Sequence, residues 1–211
     1  RPAAPHAVAL PPAAEPGPVA QRELRFAMPV NRPCFALAYR EPPIARGDMK
    51  REILCDMVTD LVCGGLTDLY RRLYDEGLVN PEFSGDYAST RTACAILFTG
   101  ESTRPRQVAE LVRQEIARLR RDGVDPELFT LVKNEMYGEL LAILEGVENA
   151  AAQMTTAFLK GSTLEEQIAT LAALTPADAD EALRTMMLPE NEAYVQIDPS
   201  GDAPGGEDAA E

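Results

Sequence analysis

The stretch "LYRRLYDEGLVNPEFSGDY", residues 69–87, changes periodicity part-way along. Its first half continues a helical pattern predicted over Leu66–Asp75 and stopped at Gly77, and its second half enters an extended pattern over Phe83–Thr90. A second extended run, "TACAILFT" over Thr92–Thr99, follows at once, so the two strands are expected to pair antiparallel. Two arginines and three tyrosines crowd this helix-to-strand passage, which raises the question of whether it grips a ligand or only turns the chain.

Upstream, Glu23–Met28 and Cys34–Arg40 ("CFALAYR") have the aromatic and apolar content of strands, separated by a turn region at Pro29–Pro33. Asp48 offers an N-cap to a helix over Met49–Val62, whose stripe Ile53, Leu54, Met57, Val58, Leu61 and Val62 has helical spacing, and Gly64-Gly65 ends it. Downstream, Pro105 opens a helix that breaks at Asp122-Gly123. Asp125-Pro126 then caps a second helix, with a regular stripe Phe129, Val132, Met136, Leu140, Ile143 and Val147. Shorter helices follow over Ala150–Lys160, from the capping-box sequence Ser162-Thr163-Leu164-Glu165, and after Thr175-Pro176; Ala193–Ile197 closes as a strand. The order β-β-α-α-β-β-α-α-α-α-α-β, with neighbouring strand pairs, predicts an α+β fold: an antiparallel sheet with helices packed on one face.

The ends read differently. Residues 1–21 are a Pro/Ala-rich linker without either periodicity, residues 199–211 a disordered acidic tail, and residues 22–198 a single domain. The chain opens on Arg1 rather than Met and is read as excised from a longer one. A formal net charge of -14 and a pI near 4.5 exclude nucleic acid and anionic membrane as expected partners, both of which require clustered Lys and Arg. Cys34, Cys55, Cys63 and Cys94 lie in apolar contexts without C-x-x-C spacing, which fits buried thiols and a cytoplasmic location.

Recognisable catalytic sets are missing from the sequence. A catalytic zinc site needs His or Cys ligands with a carboxylate, and the single histidine, His6, lies in the leader. A nucleophilic cysteine would have no histidine base in the core, and neither phosphate-binding glycine motif occurs. Glu135 and Glu139 stand one turn apart and, with Glu145 and Glu148, form an acidic ridge that is read as the solvated face opposite the apolar stripe. Tyr137 and Tyr194 are read as core-edge residues with the hydroxyl at the surface.

Four segments in one order, "RELRFAMPVNRPCFALAYREPP" (22–43), "LYRRLYDEGLVNPEFSGDY" (69–87), "ACAILFTGES" (93–102) and "VAELVRQEIARLRRDGVDPELFTLVKNEMYGELLAILEG" (108–146), resemble the second half of a bacterial zinc peptidase of the pitrilysin and mitochondrial-processing-peptidase type. The resemblance covers nearly all of residues 22–198. It implies a processing-peptidase-like half-domain that closes, clam-shell fashion, with a partner half around an unfolded peptide. Zinc and the His-x-x-Glu-His motif then belong to the complementary N-terminal half, with no cofactor in this chain, and the Pro/Ala leader is the remnant of the linker between halves.

The family's second half often supplies an Arg and, seven positions later, a Tyr that orient the substrate carbonyl. Those slots fall here on Tyr74 and Pro81, so the pair is missing; Arg32 and Tyr39 have the separation but lie at the first strand. The resemblance therefore implies a non-catalytic C-terminal domain forming one wall of a peptide chamber, with the zinc-bearing half or a partner subunit, a peptide substrate and a dimer as partners. The alternative is an inactive structural or assembly subunit. Residues 69–87 are then a passage lining the chamber, in which Tyr74 and Tyr87 are candidate substrate contacts; Arg71 and Arg72 join them, with pairing to Asp68, Asp75 or Glu76 on a wet helix face as their plainer role.

Overall fold

The computed structural model describes residues 18–90 and 92–200. Two strands, β1 (Glu23–Met28) and β2 (Cys34–Glu41), lead to the helices α1 (Met49–Cys63) and α2 (Asp68–Asp75). The strands β3 (Ser84–Ser89) and β4 (Cys94–Glu101) come next. Five helices follow: α3 (Pro105–Asp122), α4 (Pro126–Leu144), α5 (Val147–Lys160), α6 (Leu164–Ala173) and α7 (Pro176–Thr185). A short 3₁₀ turn at Pro189–Asn191 delivers the chain into β5 (Glu192–Pro199). The element order is the one predicted, and the fold is α+β. Most of the leader and most of the acidic tail lie outside the described residues; β5 runs two residues past Ile197, and the Ser200 N–H donates to the Met28 carbonyl at 2.7 Å.

The strand order is β1-β5-β2-β4-β3. β3–β4 is the antiparallel pair expected, and β2 is antiparallel to both β4 and β5. At the β1 edge the sheet departs from the antiparallel expectation. β5 inserts between β1 and β2 and runs parallel to β1, with Glu23 opposite Tyr194 and Phe26 opposite Ile197. Strand insertion also explains Tyr194, which is 5% exposed and donates to Gln196 Oε1 at 2.8 Å instead of presenting its hydroxyl at the surface. An inner strand has neighbours on both sides, and its hydroxyls must find partners there.

Alternation decides which face is covered. Leu37 and Tyr39 on β2 register with Phe98 and Ile96 on β4, Phe35 lies opposite Gly100, and these five large side chains point to one face and are buried. α1 and α3 lie on that face. α1 is apolar around most of its circumference, so it runs through the centre of the molecule, with Cys55, Met57, Val58, Leu61 and Val62 fully buried among the sheet, α3, α4, α6 and α7. Its start is the predicted one: the Asp48 carboxylate accepts from the Arg51 N–H at 3.1 Å. α2 ends at Gly77, whose φ of +64 lets the Leu78 N–H reach back to the Leu73 carbonyl at 2.9 Å. The opposite sheet face leaves Phe26 and Met28 about half exposed, at 49% and 47%.

Two helical details differ from expectation. The α4 stripe is core only at Phe129 and Val132; the helix stops at Leu144, and Val147 begins α5 while 85% exposed. The α6 capping box is Thr163 with Glu166, one residue later than the sequence suggested, because the Ser162 hydroxyl turns back to the Ala157 carbonyl at 3.3 Å. At Thr175-Pro176 the predicted start stands, closed by a second capping box with Asp178.

Candidate functional site

Two clefts meet at Tyr87. The smaller, about 210 Å³, opens between α1, α4 and α6 and is walled by Met49, Ile53, Met136, Leu140 and Leu171, with Asp56 and Glu139 at its polar side. Here the far end of the regular α4 stripe finds its use: Met136, Leu140 and Ile143 line a cavity instead of sealing a core. The larger, about 800 Å³, lies between the 43–46 loop, β3 and the end of α5, with Arg46, Ser89, Thr90 and Leu159 on its walls. No helix among the described residues is long and apolar enough to cross a membrane.

The wall between them is a polar triad. The Tyr87 hydroxyl donates to Glu52 Oε1 at 2.8 Å, and the Lys160 ammonium contacts the same carboxylate. Glu52 is nearly buried, at 9%, so its charge is held in place by a donor from β3 and a cation from the end of α5. Burial and the Glu52 carboxylate both push the Tyr87 hydroxyl well above the ordinary phenol range, so Tyr87 serves as a donor at any physiological pH.

Glu52, Asp56 and Asp60 recur every four residues along α1 and form a carboxylate row along that helix. Asp56 keeps part of its side chain in solvent at the cleft, yet the surrounding walls desolvate it, and Asp86, Glu139 and Glu52 add like charge; its carboxyl is raised to about 6. Asp60 is raised to about 7, first by burial and then by Asp56, Glu135 and Glu139. Of the α4 ridge, Glu135 and Glu139 are exposed, as expected of a solvated face, and add like charge to the carboxylates of α1, while Glu145 and Glu148, also exposed, fall beyond the end of α4. The spacing 52, 56, 60 was the available signal, and reading the helix for its apolar stripe alone passes over it.

The four residues singled out from the sequence are not brought together. Tyr87 sits at the meeting of the clefts. Tyr74 is 50% exposed on α2 and stacks on Tyr70 at 6.3 Å; Tyr70 stacks on Phe83 and Phe83 on Phe35, a column running from the surface into the core. Arg71 lies 3.7 Å from Asp68 and Arg72 4.0 Å from Glu76, both solvent-exposed pairs on the helix face. Among the described residues no three His, Cys, Asp or Glu side chains converge as metal ligands, and the α1 carboxylates are spaced one turn apart along a helix instead of around a point.

The sequence profile of the family described as "Peptidase M16 inactive domain" matches residues 3–136. The chain belongs to this family. The M16 inactive domain also finds its fold among solved structures. A protein described as an M16-like peptidase from Alicyclobacillus acidocaldarius superposes with a TM-score of 0.83 at 24% identity, over 88% of this chain and 45% of that one. The peptidase M16 inactive domain from Pseudomonas fluorescens gives 0.72 at 13% identity, over 93% and 48%. A structure described as the inactive peptidase domain of a zinc protease from Bordetella parapertussis gives 0.67 at 12%, over 86% and 98%. No curated protein sequence matches the chain. This M16 inactive domain spans about half the length of the first two of these structures and nearly all of the third. It is a C-terminal, non-catalytic domain of the pitrilysin-like M16 type.

Proposed function

We propose that this domain forms one wall of a peptide-binding chamber that closes against a zinc-bearing N-terminal half, in a zinc endopeptidase. The coverage figures carry the reading: a fold that aligns with 45% of one M16-like chain and 98% of an isolated inactive domain is one half of a two-part design. The residues here supply scaffold and contact surface. Tyr87, with Glu52 and Lys160 behind it, is the side chain best placed to hold an extended peptide, because its hydroxyl is pinned while its ring borders both clefts. Zinc, held by the other half, would activate the water that cleaves the peptide. The four free thiols suit a reducing compartment, which makes the cytoplasm our proposed location.

The test is reconstitution. The chain should hold no stoichiometric zinc and leave unstructured peptides intact; joined with the His-x-x-Glu-His half, it should restore metal-dependent cleavage, and Tyr87→Ala should raise KM more than it lowers kcat. Persistent inactivity of a folded two-half complex would favour a second reading, an inactive assembly subunit. That reading draws its support from Tyr74 and Pro81, which occupy the positions where the family often carries its Arg and Tyr.

A further inference from the structure

α5 turns its large apolar residues outward. Val147, Met154 and Phe158 are 85%, 53% and 72% exposed, Ala151 among them is exposed as well, and only Ala157 of this helix is buried. The spacing 147, 151, 154, 158 alternates four and three residues and lines the four side chains along one stripe, the pattern of a helix seam. α5 packs chiefly on α4 and α6, and among the described residues nothing covers the stripe. A surface helix ordinarily turns such a stripe to its own core, and a contiguous apolar patch left in water marks a contact surface.

The stripe complements itself. Laid antiparallel about a two-fold axis passing between Ala152 and Gln153, two α5 helices set Val147 level with Phe158 of the second copy and Ala151 level with Met154, a smaller side chain against a larger one at each step. Charge fixes the direction. Glu148 stands in the first turn of α5, with exposed Glu145 just before it; Lys160 stands in the last turn, where Arg46 Nη2 also approaches the Phe158 carbonyl at 3.5 Å. An antiparallel pair lays the acidic end of each helix over the basic end of the other and opposes the two helix dipoles, whereas a parallel pair would set acid on acid.

We propose that the outer stripe of α5 is a self-association surface on which a second copy of this chain docks antiparallel. The inference is independent of the peptidase reading, since it requires no zinc-bearing half. One helix per partner makes a contact of the small class, so the Kd is on the order of 10–100 µM, and unfolding followed on dilute protein reports the single domain. The experiment is sedimentation equilibrium of the chain across that range, with unfolding curves of each variant to verify its fold. Wild-type protein should pass from monomer to dimer. Met154→Glu, at a position already half in water, should raise the Kd about tenfold or more by burying a charge in the seam. Glu148→Arg and Arg46→Glu should each raise it about threefold or more, and the two changes together should bring it back, because acid again meets base across the axis; Lys160 is left alone because it holds Glu52. A monomer at every concentration would overturn the proposal and leave the stripe to the zinc-bearing half. A dimer that survives Met154→Glu, or a double charge exchange no tighter than the single ones, would overturn it as well.

Discussion

Glu41 shows how one buried carboxylate can organise several elements. At 2% exposure it accepts from the Met187 N–H at 2.7 Å through one oxygen and faces Arg51 at 3.3 Å through the other. Burial raises its pKa, with the Met187 N–H and Arg51 opposing the rise, so the three groups balance one another. Met187 holds a φ of +54, unusual for a side chain with a Cβ, and its N–H is aimed at this carboxylate. Glu41→Ala would leave a guanidinium and a buried N–H without this partner, so it should cost about 3 kcal/mol in urea unfolding. A loss below about 1 kcal/mol would show that water replaces the carboxylate. At this scale the sequence was partly legible. Tyr87 was visible as an aromatic in a polar passage, but its partners Glu52 and Lys160 lie on α1 and α5, and nothing local announces a meeting between positions so far apart.

Among the elements, α1 and α4 confront each other with carboxylates, and that contact carries a pH dependence. Asp60 titrates near 7 in the folded chain against 3.8 for the ordinary group. The folded state binds the proton more tightly, so the contribution of Asp60 to stability is complete below about pH 3.8 and drains away as pH climbs through 7. Asp60→Asn, which mimics the protonated form, should therefore flatten the decline in Tm between pH 5 and pH 8 and stabilise by about 1–2 kcal/mol at the upper end. Parallel Tm curves for the two proteins would refute this. β3 and α1 approach closely at Gly85, where an added Cβ would lie 2.6 Å from Thr59 Cβ, so Gly85→Ala should cost about 1–3 kcal/mol by calorimetry. Most element boundaries were readable because caps and periodicity are local signals: Asp48, Asp125 and Thr175 each cap where the sequence placed them. The α4 stripe misled because its regularity says that one face is apolar, without saying whether that face meets a core or a cavity.

Over the whole molecule, apolar surface is divided between a dense centre and an uncovered outer side. Leu61 is fully buried, and Leu61→Ala should cost about 2–5 kcal/mol. Phe158 and Leu159 are 72% and 69% exposed near the end of α5, and replacing both with Ser should leave chemical stability within about 0.5 kcal/mol. A large loss from the double replacement would mean that α5 packs more tightly than its exposure implies. Fold class and element order were legible, since alternating strand and helix patterns leave few layer arrangements. The position of β5 was not, because pairing partners are chosen by the finished sheet and the sequence of a strand does not name its neighbour.

That placement bears on how the polypeptide is made. Within this domain β1 is made before the other strands, yet its partner is β5, at the opposite end of the domain. At a synthesis rate of roughly 5–20 residues per second, the nascent chain exposes Phe26 and the free edge of β2 for on the order of ten seconds before β5 arrives to join them. Chains that stall or are clipped before Glu192 keep both edges open, and these are the species that a chaperone or protease in the cell would meet first.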